Sequence, residues 1–174
     1  LRESLEEQAA AWIDRTQRLP AAIQQLLERQ PLPALEALNS ELKGYPNRVG
    51  PLLADFLTSN SGITLALQGP PGTGKSTVSG QVIAQLAKQG KRIAISANSH
   101  AAINNLLKKA KRTCAEAGVS GQVVKCSNSK EEAMAEAGIA VLKPGQLDES
   151  SAVVGGTTWM FCREELANQF DLLV

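Results

Sequence analysis

The spacing of apolar residues changes character near residue 62. Before that point the chain consists largely of good helix formers, Leu, Ala, Gln and Glu, and is punctuated by Pro20, Pro31, Pro33, Pro46 and Pro51. At the start, Leu1, Leu5, Ala9, Trp12, Ile13 and Leu19 recur at helical spacing, which predicts that this face packs on a neighbour. Further helices are expected over "AAIQQLLERQ" and over "ALEALNSELKG", the latter ended by Gly44. Residues 1–60 are therefore read as a helical extension or stalk without a catalytic constellation.

From residue 62 onward, short apolar runs alternate with helical patterns, which predicts a parallel α/β sheet over residues 61–174. Strands are expected at 63–68 ("ITLALQ"), 91–96 ("KRIAIS"), 122–126 ("QVVKC"), 152–156 ("AVVGG") and 170–174 ("FDLLV"). A helix from about Lys75 to Gln89 places Val78, Val82, Ile83 and Leu86 on one face and stops at Gly90. In the next helix Ile103, Leu106, Leu107, Ala110 and Cys114 form the buried stripe. Its other face carries Lys108, Lys109, Lys111 and Arg112, either a solvated face or a track for phosphates. Residues 127–150 are polar and weakly periodic apart from a helical patch near Glu131 to Ala137, and read as a connection.

Charge narrows little. Lys and Arg number 18 against 17 Asp and Glu, so a basic surface for an acidic partner must be local. Cys114, Cys126 and Cys162 lie far apart, and His100 is the single histidine, which fits no zinc spacing and points to reduced thiols. No apolar run approaches the ~20 residues of a membrane span, and the N-terminus lacks a signal-peptide pattern, so a cytoplasmic protein is expected. The chain opens at Leu1 and closes on the strand-like "QFDLLV", which reads as a piece of a longer protein.

The strongest chemistry lies at residues 69–76, Gly-Pro-Pro-Gly-Thr-Gly-Lys-Ser, which satisfy the phosphate-loop pattern G-x-x-x-x-G-K-[ST] at every fixed position. It follows an apolar run and opens an amphipathic helix, as its mechanism requires. Glycines at 69, 72 and 74 let the backbone curl with positive φ and keep Cβ atoms out of the way, so successive N–H groups can converge on phosphate oxygens. The helix N-terminus adds its positive dipole end. Lys75 supplies an ammonium for the β- and γ-phosphates and Ser76 a hydroxyl ligand for Mg²⁺. The expected ligand set is Gly69, Pro70, Pro71, Gly72, Thr73, Gly74, Lys75, Ser76 and Thr77, with ATP and Mg²⁺ as cofactors. Hydrolysis also needs an acidic residue at the carboxyl end of a nearby strand. Glu131, Glu132, Asp148, Glu149, Glu164 and Glu165 all fall in helical or loop-like segments, and Asp171 falls at the wrong end of its strand.

A second landmark, "ISANSHAAINNLL" at 95–107, follows the second expected strand. Together with the phosphate loop it resembles superfamily-1 helicases of the nonsense-mediated-decay type, whose motif Ia reads roughly A-P-[ST]-N-x-A-x-[DN]-N-L-L. Ala97, Ser99, Ala102, Asn104, Asn105, Leu106 and Leu107 match, while Asn98 stands for the family's Pro and His100 for its Asn. "VVGGTTWMFCREELANQFDLLV" at 153–174 resembles the Thr-containing motif Ic and the strand leading into the Asp-Glu motif II, which does not follow. The wording "ANSH" and "GGTTWMF" is most similar to bacterial proteins that fuse a RecB-like nuclease to such a helicase.

The resemblance implies an ATP-binding P-loop NTPase domain with an incomplete RecA-like parallel sheet, acting on single-stranded nucleic acid, DNA in preference to RNA. By position it implies that Ser99, His100, Thr157 and Thr158 touch the strand. Trp159 and Phe161 are either core residues or platforms for a base. It also implies a gap beside the phosphate-loop strand, hence self-association that light scattering would reveal, and negligible ATP turnover by residues 1–174 alone. Two other readings share the loop: an AAA-type ATPase, which expects an acidic strand end ~50 residues after it, and a nucleotide-gated binding module that ignores single strands.

Overall fold

The computed structural model of the chain describes residues 6–7, 9–10, 13–14, 20–29, 34–129 and 132–174. Its elements, in order, are helices α1 (Ala21–Leu27), α2 (Ala34–Gly44), α3 (Val49–Ser59) and α4 (Lys75–Lys88), strand β1 (Ile93–Ile95), helix α5 (His100–Ala117), strand β2 (Gln122–Cys126), helix α6 (Glu132–Ala135), strands β3 (Ala140–Leu142) and β4 (Ser151–Gly155), helix α7 (Thr158–Phe161) and strand β5 (Leu172–Leu173). The five strands form one sheet in the order β3-β2-β4-β1-β5, and every pairing is parallel.

The sheet is buried on both faces, so its strands read as apolar runs rather than as alternation. On one face Ile93, Ile95, Val123 and Val153 meet Val82, Ile83 and Leu86 of α4 and Ile103, Leu107 and Ala110 of α5. On the other, Val124, Cys126 and Val154 meet Met160 and Leu166, with Phe161 and Phe170 packed edge to face at 5.3 Å. Gly155 ends β4 against α5, where a Cβ would run into the Leu107 side chain. Gly155→Ala should therefore destabilise the fold by about 1–2 kcal/mol, the cost of forcing one methyl into a packed core, and a lowered urea midpoint would show it.

Helix α3 is absent from the sequence reading, which treats Pro46 and Pro51 as breaks. Pro51 lies in the first turn of α3, where a missing N–H costs nothing, and Leu53 and Ala54 join the main core. The helices at 21–27 and 34–44 match expectation, the second to the residue. The packing expected of Leu1, Leu5, Trp12 and Leu19 lies outside the described residues; Ile13 is among them and is 74% exposed, against that expectation. Among the described residues no helix is long and apolar enough to cross a membrane.

The largest correction concerns residues 63–68. They form no strand: the sheet ends at β5, and among the described residues none pairs with them. A cavity of about 480 Å³ lies between Gly62 to Leu65 on one side and Asp171 to Val174 on the other, floored by Leu53, Leu57, Val78 and Val82. The segment is anchored by α1 instead: the Thr64 N–H donates to Gln25 Oε1 at 2.7 Å and the Thr64 hydroxyl to the Ala22 carbonyl at 2.8 Å. A second correction concerns 127–150, which contributes edge strand β3 beside β2.

Candidate functional site

Helix α4 leads into β1 and α5 leaves it, so both helices begin at the carboxyl edge of the parallel sheet, where ligands collect in such folds. The phosphate loop is wound as its sequence requires at two of three glycines. Gly72 and Gly74 take φ of 80° and 85°, the left-handed region that favours glycine. Gly69 is not among the positive-φ glycines; there the constraint is space, since a Cβ would lie 2.8 Å from Thr73 Oγ1. Thr73 Oγ1 donates to the Pro70 carbonyl at 2.8 Å and tightens the turn.

Gly74 caps α4, and Lys75 is its first residue. The Lys75 ammonium folds back across the loop and donates to the Gly69 and Pro70 carbonyls at 2.6 and 2.8 Å. Among the described residues, no backbone acceptor is found for the N–H groups of Gly72, Thr73, Gly74, Lys75 and Ser76. Five adjacent donors at a helix N-terminus, with an ammonium over them and the Ser76 and Thr77 hydroxyls exposed, are a donor set suited to an anion of several oxygens and to its metal ion. The residues present thus fit a magnesium nucleotide.

The second cluster forms where the ends of β1, β2 and β4 meet. Ser99 caps α5, its Oγ accepting the Ala102 N–H at 3.2 Å, so its hydroxyl has a structural task. His100, the next residue, lines a cleft of about 310 Å³ together with Ser127, Asn128, Thr157, Trp159 and Arg163. Thr158 turns aside: its Oγ1 lies 3.3 Å from Ser96 Oγ, joining α7 to the end of β1. The structure therefore places His100 and Thr157 on one cleft, while the Ser99 hydroxyl caps α5 and the Thr158 hydroxyl faces Ser96.

Trp159 is 67% exposed at the mouth of the cleft, whereas Phe161 packs into the core against Phe170. The core alternative therefore applies to Phe161 alone. The cleft also uses Ser127 and Asn128, which the sequence reading passed over as connection, and Arg163, which it left without a role. On α5, Lys108 and Arg112 point to solvent while Lys109 and Lys111 are half-buried. Asp171 sits at the amino end of β5, as expected, with its Oδ2 accepting the Arg92 N–H at 2.8 Å. That N–H, and secondly the Lys91 ammonium at 3.2 Å, hold its carboxyl below the usual range.

Burial pushes the Cys126 thiol up to about 11 and raises that of Cys114, while Cys162 is exposed. One thiol of three should therefore react with a maleimide at neutral pH in the folded protein, and three after unfolding, as read by mass spectrometry. Among the described residues no cluster of His, Cys, Asp or Glu could hold a metal ion.

A search of curated proteins and of solved structures finds no match to the chain. A family model described as an AAA domain matches residues 53–154, a span that runs from α3 through the phosphate loop to β4. With more than half of its 174 residues matched, the chain belongs to this AAA domain family, a P-loop domain of the kind found in superfamily-1 helicases of the nonsense-mediated-decay type.

Proposed function

We propose that this domain binds MgATP at residues 69–77 and couples it to single-stranded nucleic acid, as part of an ATPase that moves along the strand. Lys75 and the N–H groups of Gly72 to Ser76 would hold the β- and γ-phosphates, and Ser76 would carry Mg²⁺, which neutralises charge on those phosphates when bound. The observation that carries the reading is the second cleft. It opens at the carboxyl edge of the same sheet, and it offers hydroxyls, an imidazole, a guanidinium and an exposed indole, the mixture that backbone contacts and base stacking require. His100 and Thr157 are the direct contacts in this scheme, with Ser99 and Thr158 behind them.

The packing supplies a carrier for coupling. Helices α4 and α5 lie against each other, and the buried Thr113 hydroxyl of α5 donates to the Gly80 carbonyl of α4 at 2.9 Å. A shift of the phosphate-loop helix is thereby felt by the helix that bears His100. The resemblance of "ANSH" and "GGTTWMF" to nuclease-fused helicases is the ground for proposing DNA over RNA, and the outer edge of β5 is the ground for proposing self-association.

The test is the affinity of a fluorescent single strand, dT20 or rU20, with and without MgATP. A nucleotide-dependent change in strand affinity, lost in Lys75→Ala, is expected, because two linked sites shift each other's affinity reciprocally. MgATP binding with no strand binding at all would return the domain to the nucleotide-gated module.

A further inference from the structure

Lys125 is the largest fully buried side chain in the described fold, with 0% exposure, although it sits in a strand otherwise apolar at Val123, Val124 and Cys126. Side chains alternate along a strand, so Lys125 shares the face of Val123, which lies under α5. Its stem runs beneath the first turn of that helix. There the ammonium lies 2.6 Å from Asn104 Oδ1 and 3.2 Å from His100 Nδ1. His100 and Asn104 are four residues apart, one above the other on one helix face, so a single cation engages both.

An ammonium has three donors and no acceptor. Nδ1 of His100 must therefore accept, which places the ring proton on Nε2. His100 lines the cleft of Ser127, Thr157, Trp159 and Arg163. We infer that Lys125 is a positioning residue that fixes the tautomer and orientation of His100, so that the imidazole offers Nε2–H as a donor to a phosphate or base oxygen of the bound strand. This rests on the reading of the cleft as a strand site. A buried charge of this kind is seldom kept for stability, since an apolar residue of similar volume is often as good or better. The contacts with His100 and Asn104 tie β2 to the first two turns of α5.

His100 is the single histidine of the chain, so its ring nitrogens can be read without ambiguity by long-range ¹⁵N–¹H correlation in tag-free protein. The wild type should show a protonated Nε2 and a pyridine-like Nδ1. In Lys125→Met the tautomers should mix, and dT20 affinity should fall about 3- to 10-fold, the effect of one hydrogen bond, while binding of a fluorescent ATP analogue reports that the fold persists. Lys125→Arg, which again offers only donors, should recover the wild-type spectrum. A proton on Nδ1 in the wild type, or an unchanged spectrum in a folded Lys125→Met, overturns the inference. A spectrum that changes as expected, with no strand bound by either protein, upholds Lys125 as the group that sets the imidazole and overturns the strand reading of the cleft.

Discussion

Lys75→Ala is expected to weaken MgATP binding by about 10- to 150-fold, the factor that follows from losing a hydrogen-bonded charge of roughly 1.5–3 kcal/mol. The ammonium is the one mobile cation of the phosphate loop, and it also ties the loop by bonds to the Gly69 and Pro70 carbonyls. Two contributions are therefore lost together, attraction for the phosphates and preorganisation of the turn. Titration of a fluorescent ATP analogue separates them when Lys75→Arg is included, because the guanidinium keeps the charge but not the point geometry that fits between two carbonyls. The side chain is only half-buried, so the thermal midpoint should move little. Equal ATP affinity in Lys75→Ala and wild type would remove the nucleotide assignment of the whole loop.

Trp159→Ala should lower single-strand affinity by about 1–3 kcal/mol, or roughly 5- to 150-fold, with little change in stability. The reasoning is one of exposure. An indole that leaves 67% of its surface in water contributes little to the core, and at the mouth of a polar cleft it offers a face on which a base can stack. Trp159→Phe should retain part of the affinity, since a smaller ring still stacks. Phe161→Ala is the contrasting control: that ring is packed against Phe170, so its loss should lower the unfolding midpoint and leave strand affinity unaltered. Fluorescence anisotropy with labelled dT20 reads the first effect and urea unfolding the second. If Trp159→Ala binds as well as wild type, the indole is not a stacking platform.

Local chemistry was legible without coordinates wherever it depends on residues close in the chain. The phosphate loop is one case: Gly72 and Gly74 take the left-handed φ that their positions call for, and the helix begins at Lys75. The stripe of Ile103, Leu107, Ala110 and Cys114 is another, because a 3.6-residue period displays its buried face in the sequence itself. Strand β2 was found at its observed bounds and β1, β4 and β5 within two residues of theirs at each end, the limit that fraying imposes.

Tertiary structure decided what depends on partners distant in the chain. "ITLALQ" has the composition of a strand, yet a strand exists only where a neighbour supplies hydrogen bonds, and residues 63–68 have none in the sheet. Strand β3 and the Ser127–Asn128 side of the cleft were hidden because short polar segments carry no period, and only their pairing with β2 gives them a place. Trp159 and Phe161, two residues apart, could not be told apart as surface and core until α7 was laid on the sheet. Lys125 is the sharpest instance. In "QVVKC" it is one charge in an apolar run, and its partners His100 and Asn104 lie 25 and 21 residues earlier. The sequence by itself determined the phosphate-loop turn and the start of its helix, because that loop makes its own geometry from consecutive backbone groups; the cleft beside it is made by the ends of three strands, and only the order in which the sheet pairs them brings those ends together.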